Sequence, residues 1–401
     1  MADFGGMSLP PGGVAFITGG TRGLGAAAGL ALATAGCRVV VTHRWGSMAD
    51  ADVAAPYVAV GATPPLILEA DVASDDDLAH VLGQIADRFG RLDVFVSNVC
   101  VAARGAGLEG FRARDLATTL ERSSWPLATH LSAIRATFGR LPATTIAMSS
   151  DGPDHYYPGY DYVATAKATL EALVATLAPR VAADGGRIFA LRTRQVDTQS
   201  LDDMFAADVA DTLRTQLGYF MVTAEEMGEA VLALASGVLD GLHGGVLCAD
   251  RGAGFFDNFI AVAGAVRGAP ARAATSARSS PVGEPPLVLP MARGTSDRDF
   301  SPIAKLAETL RTHEATTGTL PRRVVAVQES DGELATRPFD AALDTAVRYL
   351  SAAHIFAPMS LNLVRHRPTA LGRARAQRTV EALGSGRLDH VRGQVLTLHD
   401  G

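Results

Sequence analysis

Seven short apolar runs, each separated from the next by a helix-length stretch, occupy residues 1–268 and restrict the fold more than any other feature of the chain. Val14–Thr18, Arg38–Thr42, Leu66–Glu69, Val94–Ser97, Thr144–Met148, Arg187–Leu191 and Gly245–Cys248 read as strands. Runs of this kind suit strands that are buried on both faces. Helical patterns between them, such as Asp75–Phe89, imply parallel neighbours joined by right-handed crossovers. The expected fold class is α/β, a doubly wound parallel sheet.

The first run leads into Thr18-Gly19-Gly20-Thr21-Arg22-Gly23-Leu24-Gly25 and then an Ala-rich helix reaching about Ala35, with Gly36 ending it. A glycine loop between a strand and a helix offers free N–H groups and the positive end of a helix dipole to a pyrophosphate. Glycine permits the sharp turn and the close approach. Gly19, Thr21, Arg22, Gly23, Leu24 and Gly25 are therefore candidate dinucleotide ligands. The second run ends Val41-Thr42-His43-Arg44, with no Asp or Glu for a ribose 2′-hydroxyl. Arg44, with Arg22, suits a 2′-phosphate, so NADP (NADPH) is favoured over NAD. The alternative for Arg44 is a solvated loop residue.

Tyr160 and Lys167 stand seven residues apart, about two helical turns if a helix starts after Pro158-Gly159. Val163 then shares their stripe and Tyr162 points away. A free phenol, with a pKa of about 10, is a poor acid at neutral pH, and a nearby ammonium lowers that value. The pair can hold or protonate an oxygen that gains negative charge. Lys167 gains weight from composition: Lys and Arg together number 36, yet the only lysines are Lys167 and Lys305. Lys305 reads as a solvated helix position.

These elements resemble the short-chain dehydrogenases/reductases over residues 10–252, a Rossmann family. The resemblance is carried by the glycine loop, Asp71-Val72, Ser97-Asn98, Ser149-Ser150, the Tyr–Lys helix and Val196-Asp197-Thr198. Most members place the tyrosine four residues before the lysine, where Val163 stands here. The seven-residue spacing, with Tyr156 upstream, is similar to the enoyl-acyl-carrier-protein reductase branch. The resemblance implies catalytic roles for Tyr160, Lys167, Ser149, Ser150 and Tyr156. It implies cofactor roles for Asp71, Val72, Asn98, Lys167 and Thr198 beside the loop residues and Arg44. Ser149 and Ser150 can equally be strand-end serines that satisfy backbone groups.

Several positions depart from the family pattern. The turn after the fourth strand is Ser97-Asn98-Val99-Cys100, Ser123 or Ser124 replaces a helix asparagine, and Arg192-Thr193-Arg194-Gln195 replaces a glycine-rich turn. The two arginines would either bind an acidic substrate or block the pocket. Asp197 to Tyr219, with Met204, Phe205, Leu213, Leu217 and Phe220 at helix spacing, reads as a lid or as core. Arg104, Arg112, Arg114 and Arg122 form either a phosphopantetheine contact or a solvated face.

Residues 269–286, rich in Ala, Gly, Pro, Ser and Arg, read as a linker. Beyond them, residues 287–401 read as a degenerate half-repeat of the first domain, residues 1–268. Leu234-Ala-Ser236-Gly237-Val-Leu239-Asp240 is echoed by Leu383-Gly-Ser385-Gly386-Arg-Leu388-Asp389, and Gly244, Val246, Leu247 and Gly252 by Gly393, Val395, Leu396 and Gly401. The echo lacks a glycine loop and a tyrosine, and Asp340 falls where Lys167 would. Strands are expected near Leu287–Leu289, Val324–Val327, Met359–Val364 and Val395–Leu398.

With 48% hydrophobic and 19% charged residues the chain can bury a large core, and a net charge of −6 argues against nucleic acid. Cys37, Cys100 and Cys248 lack metal-ligand spacing, and no membrane-length apolar run or export signal is seen, so a cytoplasmic protein without a metal is expected. The expected function is hydride delivery to an α,β-unsaturated or β-keto acyl substrate, small or carried on an acyl carrier protein. The alternatives are a ketoreductase or alcohol dehydrogenase of secondary metabolism, and a non-redox scaffold. A homo-oligomer is expected, with the tail supplying a pseudo-interface.

Overall fold

The computed structural model describes residues 9, 11–44, 48–101, 112–155, 159–198, 201, 210–211, 214–215, 221–252, 285–291, 301–317, 321, 323–330, 340, 343–344, 347, 360–388, 390–391 and 394–398. Its first sheet has the order β3-β2-β1-β4-β5-β6-β7. The strands are β1 (Val14–Ile17), β2 (Arg38–His43), β3 (Leu66–Glu69), β4 (Val94–Ser97), β5 (Thr144–Ser150), β6 (Arg187–Thr193) and β7 (Val246–Ala249). Strands β1 to β6 pair in parallel, and β7 lies beside β6. The helices are α1 (Gly23–Thr34), α2 (Asp50–Ala59), α3 (Asp75–Phe89), α4 (Ala113–Ser123), α5 (Pro126–Phe138), α6 (Asp161–Ala183) and α7 (Ala224–Ala235).

Every residue of β1, β4 and β5 is buried, as strands covered on both faces require. Helix α3 shows how local chemistry sets an element. Ser74 caps it by accepting from the Asp77 N–H at 3.2 Å, and Asp75, Asp76 and Asp77 face the positive end of its dipole. Gly90, at φ 65°, ends it. Leu78, Val81, Leu82 and Ile85 form the stripe that it buries. The chain leaves β1 toward β2 and β3, then returns to β4 on the other side of β1. The carboxyl ends of β1 and β4 therefore flank the switch point where ligands of open α/β sheets bind.

The core contains a buried histidine whose pKa is strongly shifted. His130 on α5 is 2% exposed and stacks with Phe16 and Phe95, at ring-centroid distances of 6.3 and 5.7 Å. Burial pushes its pKa down to about 4, against a smaller upward pull from the Pro126 carbonyl. The unfolded chain protonates near 6.5, so between that pH and about 4 it binds more protons than the folded chain. Stability from this group is complete above pH 6.5 and falls as the pH drops toward 4, by on the order of 3 kcal/mol. His130→Phe should therefore lose less Tm than the wild type between pH 7 and pH 4.5. Equal losses would show that His130 does not set the acid sensitivity.

By packing, the chain divides into two units. The first comprises Met1–Thr193, Met227–Gly237 and His243–Leu247, and the second Arg194–Glu226, Val238–Leu242 and Cys248–Gly401. The second unit holds a parallel sheet of order β11-β10-β9-β8, from β8 (Leu287–Pro290), β9 (Arg323–Glu329), β10 (Ser360–His366) and β11 (Val395–Thr397). All four strands fall where the sequence places them. Helices α8 (Ser301–Thr317) and α9 (Ala370–Gly384) accompany the sheet, and Leu306, Leu310, Leu343 and Val347 pack with Val324, Ala326, Leu361 and Leu363. Lys305 on α8 is exposed, as a solvated position should be. Among the described residues no helix is long and apolar enough to cross a membrane, and no group of His, Cys, Asp and Glu is placed to hold a metal.

Candidate active site

The glycine loop lies at the switch point, held by residues from β1 and β4. Thr18, 2% exposed, accepts from the Asn98 backbone N–H at 3.0 Å through its hydroxyl. The Asn98 side-chain amide donates to the Thr18 and Gly19 carbonyls, both at 3.0 Å. Asn98, assigned to the cofactor by resemblance, thus acts by fixing the loop.

The loop fits a dinucleotide. Gly19 and Gly23 have φ of 64° and 57°, a region that favours glycine. A Cβ on Gly25 would lie 2.4 Å from the Gly19 carbonyl oxygen and 2.7 Å from Asn98 Nδ2, so only glycine lets α1 approach this closely. A Cβ on Gly23 would meet nothing within 4 Å, which leaves room above the loop. Arg22 is the N-cap of α1, no side chain caps the first turn, and no acid occupies it. These are the features a pyrophosphate needs. Thr21 and Leu24 lie in the same turn and at the start of α1.

At the other end of the crevice Arg44, just past β2, pairs with Asp71 at 2.6 Å. Arg122 reaches the same carboxylate at 3.7 Å, and Asp71 Oδ1 accepts from the Ala73 N–H at 3.0 Å. Asp71 is thereby fixed, with half-buried Val72, the other cofactor residue the resemblance implies there, next to it. Of the other arginines, Arg114 has an almost fully exposed side chain and Arg112 donates its backbone N–H to the Tyr162 hydroxyl at 2.7 Å. Tyr162 is 1% exposed and turned to that contact.

Tyr160 is the N-cap of α6, with φ −96° and ψ 6°, one position outside the helix that its spacing suggested. Its hydroxyl donates to Ser150 Oγ at 3.2 Å. Gly152 makes room for the ring: a Cβ there would lie 2.7 Å from Tyr160 Cε1. Lys167 is 5% exposed and its Nζ donates to the Met148 carbonyl at 2.7 Å. The ammonium carries three donors; among the described residues only that one bond is found, which leaves two for a ribose. Val163, between them, is buried.

The two serines, grouped by the sequence, have separate tasks. Ser149 donates to Glu171 Oε1 at 2.6 Å, so its hydroxyl is committed to α6 and not to a substrate carbonyl. Ser150 faces Tyr160. Ser123 exchanges hydrogen bonds with the backbone of Val101, and Ser124 donates to the Ala166 carbonyl at 2.7 Å, which ties α4 to α6. Strand β6 runs two residues beyond its expected end, so Arg192 and Thr193 are strand residues and not part of a turn. Arg192 is held by Glu171 and Asp154. Its charge is therefore compensated within the protein. Gly152 and Glu171 escaped the sequence reading. Gly152, two residues after the serine pair, carried a signal, whereas Glu171 looks like any solvated helix acid. Cys100 is exposed.

Thr198 lies in the second unit, just past an isolated bridge between Val196 and Val222, and its carbonyl accepts from the Leu201 N–H at 2.9 Å. Tyr156, Arg104, residues 269–284 and Met204, Phe205, Leu213, Leu217 and Phe220 of the expected lid fall outside the described residues.

A glycine cradle at a switch point, beside a tyrosine, a serine and a buried lysine, defines an NAD(P)-dependent oxidoreductase. A family profile described as "Enoyl-(Acyl carrier protein) reductase" matches residues 19–254, and the chain belongs to the short-chain dehydrogenase/reductase family. A 3-oxoacyl-[acyl-carrier-protein] reductase of Synechocystis sp. is 39% identical over 85 residues, 21% of this chain and 34% of that protein. The chain thus spans about a third of the length of that relative. A 1-cyclohexenylcarbonyl-CoA reductase of Streptomyces collinus is 26% identical over 246 residues, 60% of this chain and 86% of that protein. Among solved structures, a short-chain dehydrogenase/reductase from Serratia marcescens aligns with a TM-score of 0.51 at 26% identity, covering 59% of this chain and 96% of its own.

Proposed function

We propose that this protein is a cytoplasmic reductase that uses NADPH to reduce an α,β-unsaturated or β-keto acyl thioester, carried on coenzyme A or on an acyl carrier protein. The observation that carries this reading is the Tyr160 hydroxyl on Ser150 Oγ, with Lys167 buried seven residues further along. When bound, the reduced nicotinamide supplies the hydride. Tyr160 holds the substrate carbonyl oxygen and stabilises the negative charge that develops there. Ser150 orients the phenol, and Lys167 holds the ribose with its remaining donors. The matched 1-cyclohexenylcarbonyl-CoA reductase supports a conjugated C=C as the target, and the matched 3-oxoacyl reductase supports a ketone. A ketoreductase of secondary metabolism is the second reading, because the same phenol can protonate a ketone oxygen.

Arg44 supports NADPH, because β2 ends in Thr42-His43 with no acid for a 2′-hydroxyl and a guanidinium, a group that suits a 2′-phosphate, follows just past its end. Titration should show NADPH binding more tightly than NADH, and Arg44→Ala should remove roughly tenfold of that preference. Equal affinities would overturn the choice of cofactor. With enoyl and keto thioesters on coenzyme A and on a carrier protein, a saturated acyl product supports the first reading and a hydroxyl product the second. Binding of neither nucleotide would leave the non-redox scaffold.

A further inference from the structure

We propose that Arg192 is a positioning residue that keeps Glu171 away from Lys167 and so holds the lysine ready for the cofactor; this rests on the reductase reading above. The Arg192 side chain is only 15% exposed. Its Nε and Nη2 bracket the Glu171 carboxylate at 2.9 and 2.5 Å, and its Nη1 meets Asp154. Glu171 Oε1 also accepts from Ser149 at 2.6 Å. One guanidinium thus joins three parts of the site: strand β6, helix α6, and the segment between β5 and Tyr160. Glu171 lies four residues after Lys167 on α6, the spacing at which a carboxylate and an ammonium meet on a helix surface. Held by Arg192, Glu171 leaves Lys167 on the Met148 carbonyl. Released, it would draw the ammonium along the helix.

The second unit contains the same bracket without the chemistry. Arg365 on β10 pairs in register with Gln328 on β9, as Arg192 on β6 does with Ser149 on β5. Arg365 Nε donates to Gln328 Oε1 at 2.8 Å and its Nη2 to Asp344 Oδ1 at 2.6 Å. Asp344 precedes Arg365 by 21 residues, the separation of Glu171 and Arg192. Asp340 stands four residues before Asp344, at the place Lys167 holds before Glu171, and it accepts from Gln328 Nε2 at 2.6 Å. The echoed turns agree as well. Gly237 and Gly386 have φ of 83° and 84°, and Ser236 and Ser385 donate to the carbonyls of Ala233 and Ala382 at 2.9 and 2.7 Å. An arginine–acid bracket that persists where the lysine is replaced by an acid does not depend on a substrate. It serves the crossover from one strand to the next, and in the first unit it also secures Lys167.

The test is a cycle of Arg192→Met, Glu171→Met and the double variant, with Arg365→Met as a control in the second unit. Thermal unfolding, NADPH Kd, and kcat and KM for an acyl-CoA thioester are read for each. Breaking a buried pair from one side leaves an uncompensated charge, whereas removing both partners is tolerated. Arg192→Met should lower Tm by roughly 10 °C. It should also raise the NADPH Kd and lower kcat by roughly tenfold each, with KM nearly unchanged. The double variant should recover most of the Tm and the Kd, because no carboxylate is left to capture Lys167. Arg365→Met should lower Tm and leave the NADPH Kd alone. A rise confined to KM, with Kd unchanged, would make Arg192 a receptor for substrate anions and overturn the proposal; so would a double variant no better than the singles. If the wild type binds no nucleotide, the reductase reading fails by itself, and recovery of Tm in the double variant decides the bracket.

Discussion

Tyr160→Phe is expected to lower kcat/KM for the acyl thioester by about 10²–10⁴-fold with the NADPH Kd unchanged. The substitution removes one hydroxyl and keeps the ring, which stays seated over Gly152. The lost bond to Ser150 Oγ, 3.2 Å long and half-buried, costs about 1 kcal/mol of stability, so the variant stays folded. Lys167, bonded to Met148, is not touched by the change. An effect on turnover without an effect on binding would place Tyr160 at the reacting oxygen. A variant whose kcat/KM lies within threefold of the wild type would remove the tyrosine from the mechanism.

Gly25→Ala is expected to abolish measurable binding of either nucleotide and to lower Tm by several degrees. The new Cβ would lie 2.4 Å from the Gly19 carbonyl oxygen, 2.7 Å from Asn98 Nδ2 and 3.0 Å from the Gly20 Cα. None of these can swing aside: two are backbone atoms of the cradle, and Asn98 is fixed by its bonds to Thr18 and Gly19. Either α1 moves off the sheet or the loop opens, at a cost of about 1–3 kcal/mol, and both displace the N–H groups that would face the pyrophosphate. Gly23→Ala makes a useful contrast. Its Cβ meets nothing, so its stability cost comes from its φ of 57° alone, about 1–2 kcal/mol. Normal nucleotide binding by Gly25→Ala would mean that the cradle lies elsewhere.

Much of the fold was legible because its signals are local. Buried parallel strands need uninterrupted apolar runs, and Ser74, three acids and Gly90 mark the ends of α3 within a few residues of sequence. The four strands of the second sheet were readable for the same reason. Strand ends were less legible: β5 and β6 each extend two residues past their apolar runs, because a polar side chain can stay on a strand when a partner meets it. Arg192 is such a case, and its partner Glu171 lies 21 residues away on a helix where nothing distinguishes it from a solvated acid.

The sequence by itself determined the class of the fold, the glycine cradle and the Tyr160–Lys167 pair, since each depends on residue type and short spacing. Only the tertiary structure decided what each polar group is bonded to. It turned Ser149 to Glu171 and Ser150 to Tyr160, although they are neighbours, so that they meet α6 at points eleven residues apart. It made Asn98 a support for the loop and compensated Arg192 with two carboxylates. Hydrogen bonds and ion pairs act within a few ångströms, and which groups come that close is set by the packing of elements far apart in the chain.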